Sequence, residues 1–252
     1  VSAPRTRQAA VLAGGLATRM RPRTLTTPKA MLDVAGRPFV DWQLEKLASC
    51  GFDDVVLCVA HLGEQIRDHV GDGARFGVRV RYSEEGPELL GTLGALRAAL
   101  PLLEPAFLVT YGDSYLPFDY AAPLALLHAH DDCDGAMSVF ANHGRWDPSN
   151  VVTDGAWVLR YEKGTKDPAF DYIDYGAIAL RRDVVAGVAE GARADLSAAQ
   201  RSLAESHRLR AYVAGVRFFE IGSPEGLATL EEHLKTHPSH PSPPRPGPSP
   251  HS

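Results

Sequence analysis

Gln8-Ala9-Ala10-Val11-Leu12-Ala13 is an apolar run that breaks at Gly14-Gly15 and is followed by the basic residues Arg19, Arg21 and Arg23. A short apolar run closed by glycines predicts a β-strand. Outward from it, helical and extended patterns alternate. Pro38 to Cys50 reads as helix, Asp54 to Ala60 as strand, Leu62 to Val70 as helix and Val78 to Tyr82 as strand, which is a βαβαβ opening. The first helix is sharply bounded, with Pro38 suited to its first turn, Val40, Leu44 and Leu47 on one stripe, and Gly51 placed to end it in the left-handed conformation. A helix from Thr92 to Leu100 leads to the apolar run Phe107 to Tyr111, which suggests a central strand buried on both faces and stops at Gly112-Asp113. Later strands at Gly135 to Phe140, Trp157 to Tyr161, Tyr172 to Leu180, Leu209 to Val213 and Arg217 to Glu220 have fewer helices between them. A mixed sheet flanked by helices is therefore expected.

The chain of 252 residues, 44% hydrophobic and 23% charged, is too rich in apolar residues for a disordered polymer and too polar for a membrane bundle. No apolar stretch reaches the roughly 18 residues of a spanning helix, so no membrane crossing is expected. Ala9 to Ala17 resembles a signal-peptide core but is broken by Gly14-Gly15, and Cys50, Cys58 and Cys133 offer no Cys-x-x-Cys, so a cytoplasmic protein without zinc or a disulfide framework is expected. The final segment, His237 to Ser252, holds seven of the 19 prolines and no apolar residue larger than proline, and is read as a disordered tail. The expected division is a single domain over residues 1–236 and a tail over 237–252.

The net charge of -5 conceals an asymmetry: residues 1–32 carry six Lys/Arg and no acid, leaving 20 bases against 31 acids elsewhere. A nucleic-acid binder would spread positive charge over a face, so a small anionic ligand fits better than a polyanion. The segment Leu12-Ala13-Gly14-Gly15-Leu16-Ala17-Thr18-Arg19-Met20-Arg21-Pro22 is neither a P-loop nor a dinucleotide fingerprint. Its backbone N–H groups and Arg19 suit phosphate oxygens, although Gly14-Gly15 alone is more often an ordinary tight turn than a ligand site. Thr27-Pro28-Lys29-Ala30-Met31-Leu32 sets a lysine behind a rigid proline.

Together, Ala-Gly-Gly-x-x-Thr-Arg-Met-x-Pro and Thr-Pro-Lys-Ala-Met-Leu-Asp-Val-Ala-Gly-Arg-Pro resemble the signature of the sugar-1-phosphate nucleotidyltransferases. The likeness continues through Glu88-Leu-Leu-Gly-Thr-Leu-Gly-Ala-Leu96, Gly112-Asp113-Ser114, Glu162-Lys163 and Phe219-Glu220-Ile-Gly-Ser-Pro-Glu-Gly226, and is strongest to the small single-domain members, the heptose- or mannose-1-phosphate guanylyltransferases and the muramate-1-phosphate uridylyltransferase. It implies a Rossmann-like three-layer α/β/α fold of the nucleotide-diphospho-sugar transferase type, with a mixed, mainly parallel sheet. It also implies attack of a sugar-1-phosphate oxygen on the α-phosphorus of a nucleoside triphosphate, with release of pyrophosphate.

By the same resemblance, Leu12, Ala13, Gly14, Gly15, Thr18, Arg19 and Lys29 contact the nucleotide, with Arg19 on the leaving pyrophosphate and Lys29 near the reacting phosphorus. Glu88, Gly91 and Thr92 form the wall for the base, Gly91 allowing close approach and Thr92 offering its hydroxyl. Asn150, Glu162, Lys163, Asp174 and Gly176 receive the sugar phosphate. Asp113 and Glu220 hold Mg2+, and Arg19, Lys29 and Asp113 form the catalytic set. Two departures stand out, Ala17 where many relatives have Gly and Glu220 where Asp is more usual. Guanylyl transfer to a heptose or mannose 1-phosphate, in surface-polysaccharide synthesis, is the first expectation. Uridylyl, cytidylyl or thymidylyl transfer and a non-catalytic nucleotide-sugar-binding regulatory subunit are the alternatives. Expected partners are a nucleoside triphosphate and a sugar 1-phosphate, with neither nucleic acid nor membrane and with homo-oligomerisation left open.

Overall fold

The computed structural model describes residues 7–15, 20, 22–86 and 88–237. Strand β1 (Gln8–Leu12) is followed by a small hairpin, β2 (Asp33–Val34) and β3 (Arg37–Pro38), and by α1 (Phe39–Ser49), β4 (Asp54–Val59), α2 (Gly63–Val70) and β5 (Arg79–Glu84). Next come α3 (Gly91–Ala98), β6 (Ala106–Tyr111), β7 (Ser114–Tyr115), α4 (Ala121–Ala129) and β8 (Gly135–Ala141). The chain continues through β9 (Val151–Thr153), β10 (Val158–Tyr161), β11 (Tyr172–Arg181), α5 (Arg182–Ala186), α6 (Leu196–Glu205), β12 (Leu209–Ala214), β13 (Phe219–Glu220) and α7 (Pro224–Thr236).

The main sheet runs β10-β9-β11-β6-β1-β4-β5, with β8 beside β11 and β12 at its far edge. Strands β5, β4, β1 and β6 are mutually parallel, β11 runs against both β6 and β8, and β12 is parallel to β8. Strand period and burial explain the layers. Ala9 and Val11 face a core shared with α1, α2 and α4, whereas Ala10 faces one shared with α3, α5 and α6. A strand buried on both sides has no solvated face to show in its sequence, which is why β1 and β6 read as continuous apolar runs. Helix α1 matches the pattern read for it: Leu44 and Leu47 are fully buried, and Gly51 has φ +78°. A third cluster, containing Met20, Leu32, Val34, Phe39, Tyr115, Ile221 and Leu230, packs α7 beneath the hairpin and the β7–β13 pair.

At the opposite end of the sheet from the strand C-termini sits a buried charge. Asp54, 1% exposed, accepts hydrogen bonds from Gln8 Nε2 at 2.5 Å, Arg81 Nη2 at 2.5 Å and Arg79 Nε at 3.2 Å. Burial alone would raise its pKa, but hydrogen bonds from Arg81 and Gln8 and the two arginine charges hold it below the usual value. A depressed carboxylate contributes stability above its unfolded pKa of about 3.9 and loses it as pH falls further. Asp54→Ala should therefore cost about 3–5 kcal/mol at neutral pH, since it leaves two arginines uncompensated. In urea melts at pH 7 and pH 3 the gap between wild type and variant should shrink at pH 3; a gap independent of pH would contradict this account.

Candidate active site

The C-terminal ends of β1, β4 and β6 open into a cavity of about 380 Å³, lined by Leu12, Ala13, Gly14, Gly15, Lys29, Glu85, Leu89, Gly91, Thr92, Tyr111, Gly112 and Asp113 among others. This lies within the range of small-molecule pockets, at the edge where open α/β sheets bind ligands. Backbone pairing continues past the strand ends and fixes the floor: Ala13 N donates to Cys58 O and Gly112 N to Leu12 O, each at 2.9 Å. A side chain at Gly112 would put its Cβ 2.9 Å from Ala13 Cα, and one at Gly14 would meet Glu85 Oε1 at 2.8 Å. Gly112 is thus required by close approach to backbone, whereas a Cβ at Gly14 would displace the end of the Glu85 side chain.

Asp113 is the second residue after β6, behind Gly112. Its Oδ2 accepts from Lys29 Nζ at 2.6 Å, with side-chain exposures of 33% and 14% for the acid and the lysine. Residues 29–31 form a single 3-10 turn behind Pro28, which aims the lysine across the cavity mouth. Glu220 pairs with Ser114 in the β7–β13 ladder, and the next residue, Ile221, donates its N–H to Asp113 O at 2.9 Å. The Glu220 backbone therefore lies beside Asp113, while its side chain is exposed and Gly222 rather than Glu220 lines the cavity. Among the described residues no group of three or more His, Cys, Asp and Glu side chains is gathered for a metal. Thr18 and Arg19, with Ala17, lie outside the described residues.

The wall at α3 differs from the expectation. Gly91 has φ +75°, and a Cβ there would lie 2.6 Å from Ala194 O, so its freedom serves a contact with the chain's own backbone. Ala194 O also caps the helix, accepting from Leu93 N at 3.0 Å and Gly94 N at 3.2 Å, and the Thr92 hydroxyl oxygen accepts from Leu196 N at 2.7 Å. Glu88 is exposed and outside the cavity lining. The acid that lines it is Glu85, which follows β5 and was not singled out from sequence. Its Oε2 accepts from Leu90 N at 2.7 Å. Burial raises the Glu85 carboxyl pKa against the opposing effect of that bond. Beneath it the Cys58 thiol is pushed up to about 12 by burial and then by the Glu85 charge, so it is an inert wall.

The residues expected around the sugar phosphate fall on a neighbouring shelf. Asn150 Oδ1 accepts from Asp174 N at 2.8 Å, and Glu162 N donates to Asn150 O at 2.9 Å. Asp174 accepts from Gly176 N and Gln200 Nε2, both at 2.9 Å, and from the Tyr161 hydroxyl; burial raises its pKa against all three. Gly176, at φ +93°, has Ser114 and Tyr111 as its nearest neighbours, so the shelf adjoins the cavity through Tyr111. Glu162 is exposed, and Lys163 stands apart, 3.9 Å from Asp195 with both side chains more than half exposed.

Residues 9–214 match the profile of the MobA-like NTP transferase domain. The chain belongs to this family. N-acetylmuramate alpha-1-phosphate uridylyltransferase of Neisseria meningitidis serogroup B is 47% identical over 117 residues, 46% of this chain and 50% of that protein. Mannose-1-phosphate guanylyltransferase of Mycobacterium tuberculosis is 30% identical over 185 residues, 73% of this chain and 51% of that protein. The chain spans about half the length of these curated relatives. In fold it is similar to HddC from Yersinia pseudotuberculosis, with TM-score 0.75 and 24% identity over 91% of this chain and 100% of that one. Among the described residues no helix is long and apolar enough to cross a membrane.

The approach of Gly112 to backbone rather than to a flexible side chain gives a direct test of the cavity floor. Gly112→Ala should destabilise by about 1–3 kcal/mol, the usual cost of overpacking, and should weaken nucleotide binding. Thermal melts with and without nucleotide read both effects, and an unchanged melt would show that β1 and β6 separate freely.

Proposed function

We propose that the protein is a Mg2+-dependent sugar-1-phosphate nucleotidyltransferase that forms a nucleotide-sugar and pyrophosphate, with guanylyl transfer to a heptose or mannose 1-phosphate as the preferred reaction. The observation that carries the reading is the Lys29–Asp113 pair at the mouth of a glycine-floored cavity of nucleotide size. A phosphate oxygen of the sugar 1-phosphate bonds to the α-phosphorus as the bond from that phosphorus to the bridging oxygen of the pyrophosphate breaks. The nucleophile is already anionic at neutral pH, so no general base is needed, and the protein's task is alignment and neutralisation of charge.

Asp113 suits a hard cation: it is an oxygen donor that already holds one, the Lys29 ammonium, at 2.6 Å. Asp113, with Glu220 nearby in the chain's fold, would hold Mg2+ together with phosphate oxygens and water. Bound there, Mg2+ supplies neutralisation of the triphosphate charge. Lys29 turns from Asp113 to the phosphate oxygens as the nucleotide enters, and Arg19 takes the pyrophosphate by its place in the motif. Asp174, Asn150 and Gly176 orient the sugar, and Lys163 exchanges its loose contact with Asp195 for the sugar phosphate.

Glu85 supports the choice of guanine. An ionised carboxylate only accepts, and guanine offers two adjacent donors, N1–H and N2–H, on its pairing edge, whereas uracil offers one N–H between two carbonyl acceptors that a carboxylate repels. The 47% identity to a uridylyltransferase favours uridylyl transfer as the second reading. A pyrophosphate-release matrix of GTP, UTP, CTP, dTTP and ATP against sugar 1-phosphates separates them. The expected result is fastest release with GTP, and Glu85→Gln should lower kcat/KM for GTP by roughly 10- to 100-fold through loss of a charge-assisted contact. Fastest release with UTP, with Glu85→Gln tolerated, would establish the second reading. Nucleotide-sugar binding without turnover in the whole matrix would refute the enzymatic one.

A further inference from the structure

Helix α1 contributes one polar residue to the core beneath the site. Gln43 is 2% exposed, and its single side-chain amide group donates to two backbone carbonyls, Tyr111 O at 2.7 Å and Ser114 O at 3.0 Å. Those carbonyls flank the two-residue turn Gly112-Asp113 that joins β6 to β7. The other half of the amide, Oε1, is buried and has no hydrogen-bond partner among the described residues. Burying an unpartnered amide oxygen is unfavourable, so packing alone would favour an apolar side chain of the same length here. What the amide offers is two donors on one nitrogen, placed to tie both ends of the turn to a rigid helix.

Other contacts among the described residues hold the rest of the turn, including a hydrogen bond from Ser114 Oγ to Asp113 Oδ1 at 3.3 Å. Gly112 N donates to Leu12 O and Asp113 O accepts from Ile221 N, both at 2.9 Å, and the Asp113 carboxylate meets Lys29 Nζ at 2.6 Å. Gln43 closes the turn from below. Gln43 itself is not among the residues that line the cavity.

We propose that Gln43 is a positioning residue that fixes Asp113 for the divalent cation and for Lys29, a role that rests on the nucleotidyltransferase reading above. A carboxylate displaced by an ångström aligns the triphosphate poorly even when the fold is intact.

The test compares wild type with Gln43→Met, which keeps the length and removes both donors, and Gln43→Glu, which keeps the shape and turns an acceptor toward two carbonyls. Four quantities are read: kcat per folded molecule, half-saturation by Mg2+, affinity for Mn2+ by electron paramagnetic resonance with a non-hydrolysable GTP analogue, and melting temperature. In Gln43→Met, kcat should fall roughly 10- to 100-fold, and Mg2+ half-saturation and Mn2+ affinity should weaken about tenfold, as misplacement of a reacting geometry predicts, with KM for sugar 1-phosphate little changed. Gln43→Glu should lose more on all three. Normal kcat and Mn2+ affinity in Gln43→Met, whatever its melting temperature, would overturn the proposal and leave Gln43 a core residue only. If Gln43→Glu does not fold, Gln43→Met decides alone. If wild type turns over no pair of substrates, the functional reading fails, and the Mn2+ affinity of Gln43→Met still decides whether Gln43 places Asp113.

Discussion

Parallel pairing of β1 between β4 and β6, with both faces of β1 covered, constrains everything else in the molecule. Ala9 and Ala10 are fully buried on opposite faces, so neither face of the strand can carry ligand chemistry. Polar groups can collect only where the strands stop. At the lower end the sheet gathers Asp54 with its arginines, a network satisfied entirely within the protein. At the upper end the chain leaves β1 and β6 through glycines, and there the backbone approaches so closely that Gly112 meets Ala13 directly. The cavity is the space those two departing segments and α3 leave between them.

That geometry ties the cavity wall at α3 to the neighbouring shelf of Asn150 and Asp174 through one short segment. Ala194 O caps α3, Leu196 N is held by Thr92, and Asp195 between them faces Lys163 and accepts from Ser197 N as the cap of α6. Gln200 of the same helix holds Asp174. One short stretch thus sets both the start of α3 beside the cavity and the carboxylate on the shelf, so the two halves of the site are mechanically joined although far apart in sequence.

The sequence shows this organisation unevenly, for physical reasons. The strand runs and the α1 stripe were legible because each is a local pattern of period or cap, whereas Lys29 and Asp113 stood out as site residues through the longer motifs in which they sit. That Glu85 rather than Glu88 lines the cavity depends on which side of the irregular turn after β5 faces inward, which the contacts with Gly14 and Leu90 decide and no local pattern shows. Gly91 and Thr92 line the cavity, but their partners, Ala194 and Leu196, lie about a hundred residues away and leave no local trace. Gln43 reads as an ordinary polar position of an amphipathic helix, since nothing nearby in sequence reveals the turn packed over it.

The account stands on the Asp113 carboxylate acting as a cation-holding group rather than as a turn cap. The measurement is kcat as a function of Mg2+ concentration for Asp113→Asn, with thermal melts alongside. Asn keeps the size of Asp and its ability to accept hydrogen bonds, so a capping role would survive the change, whereas the charge would be lost. The account predicts a fall in kcat of orders of magnitude, partly recovered at raised Mg2+, with a nearly unchanged melting temperature. Near-normal kcat, or a large melting-temperature loss with unaltered Mg2+ dependence, would contradict it.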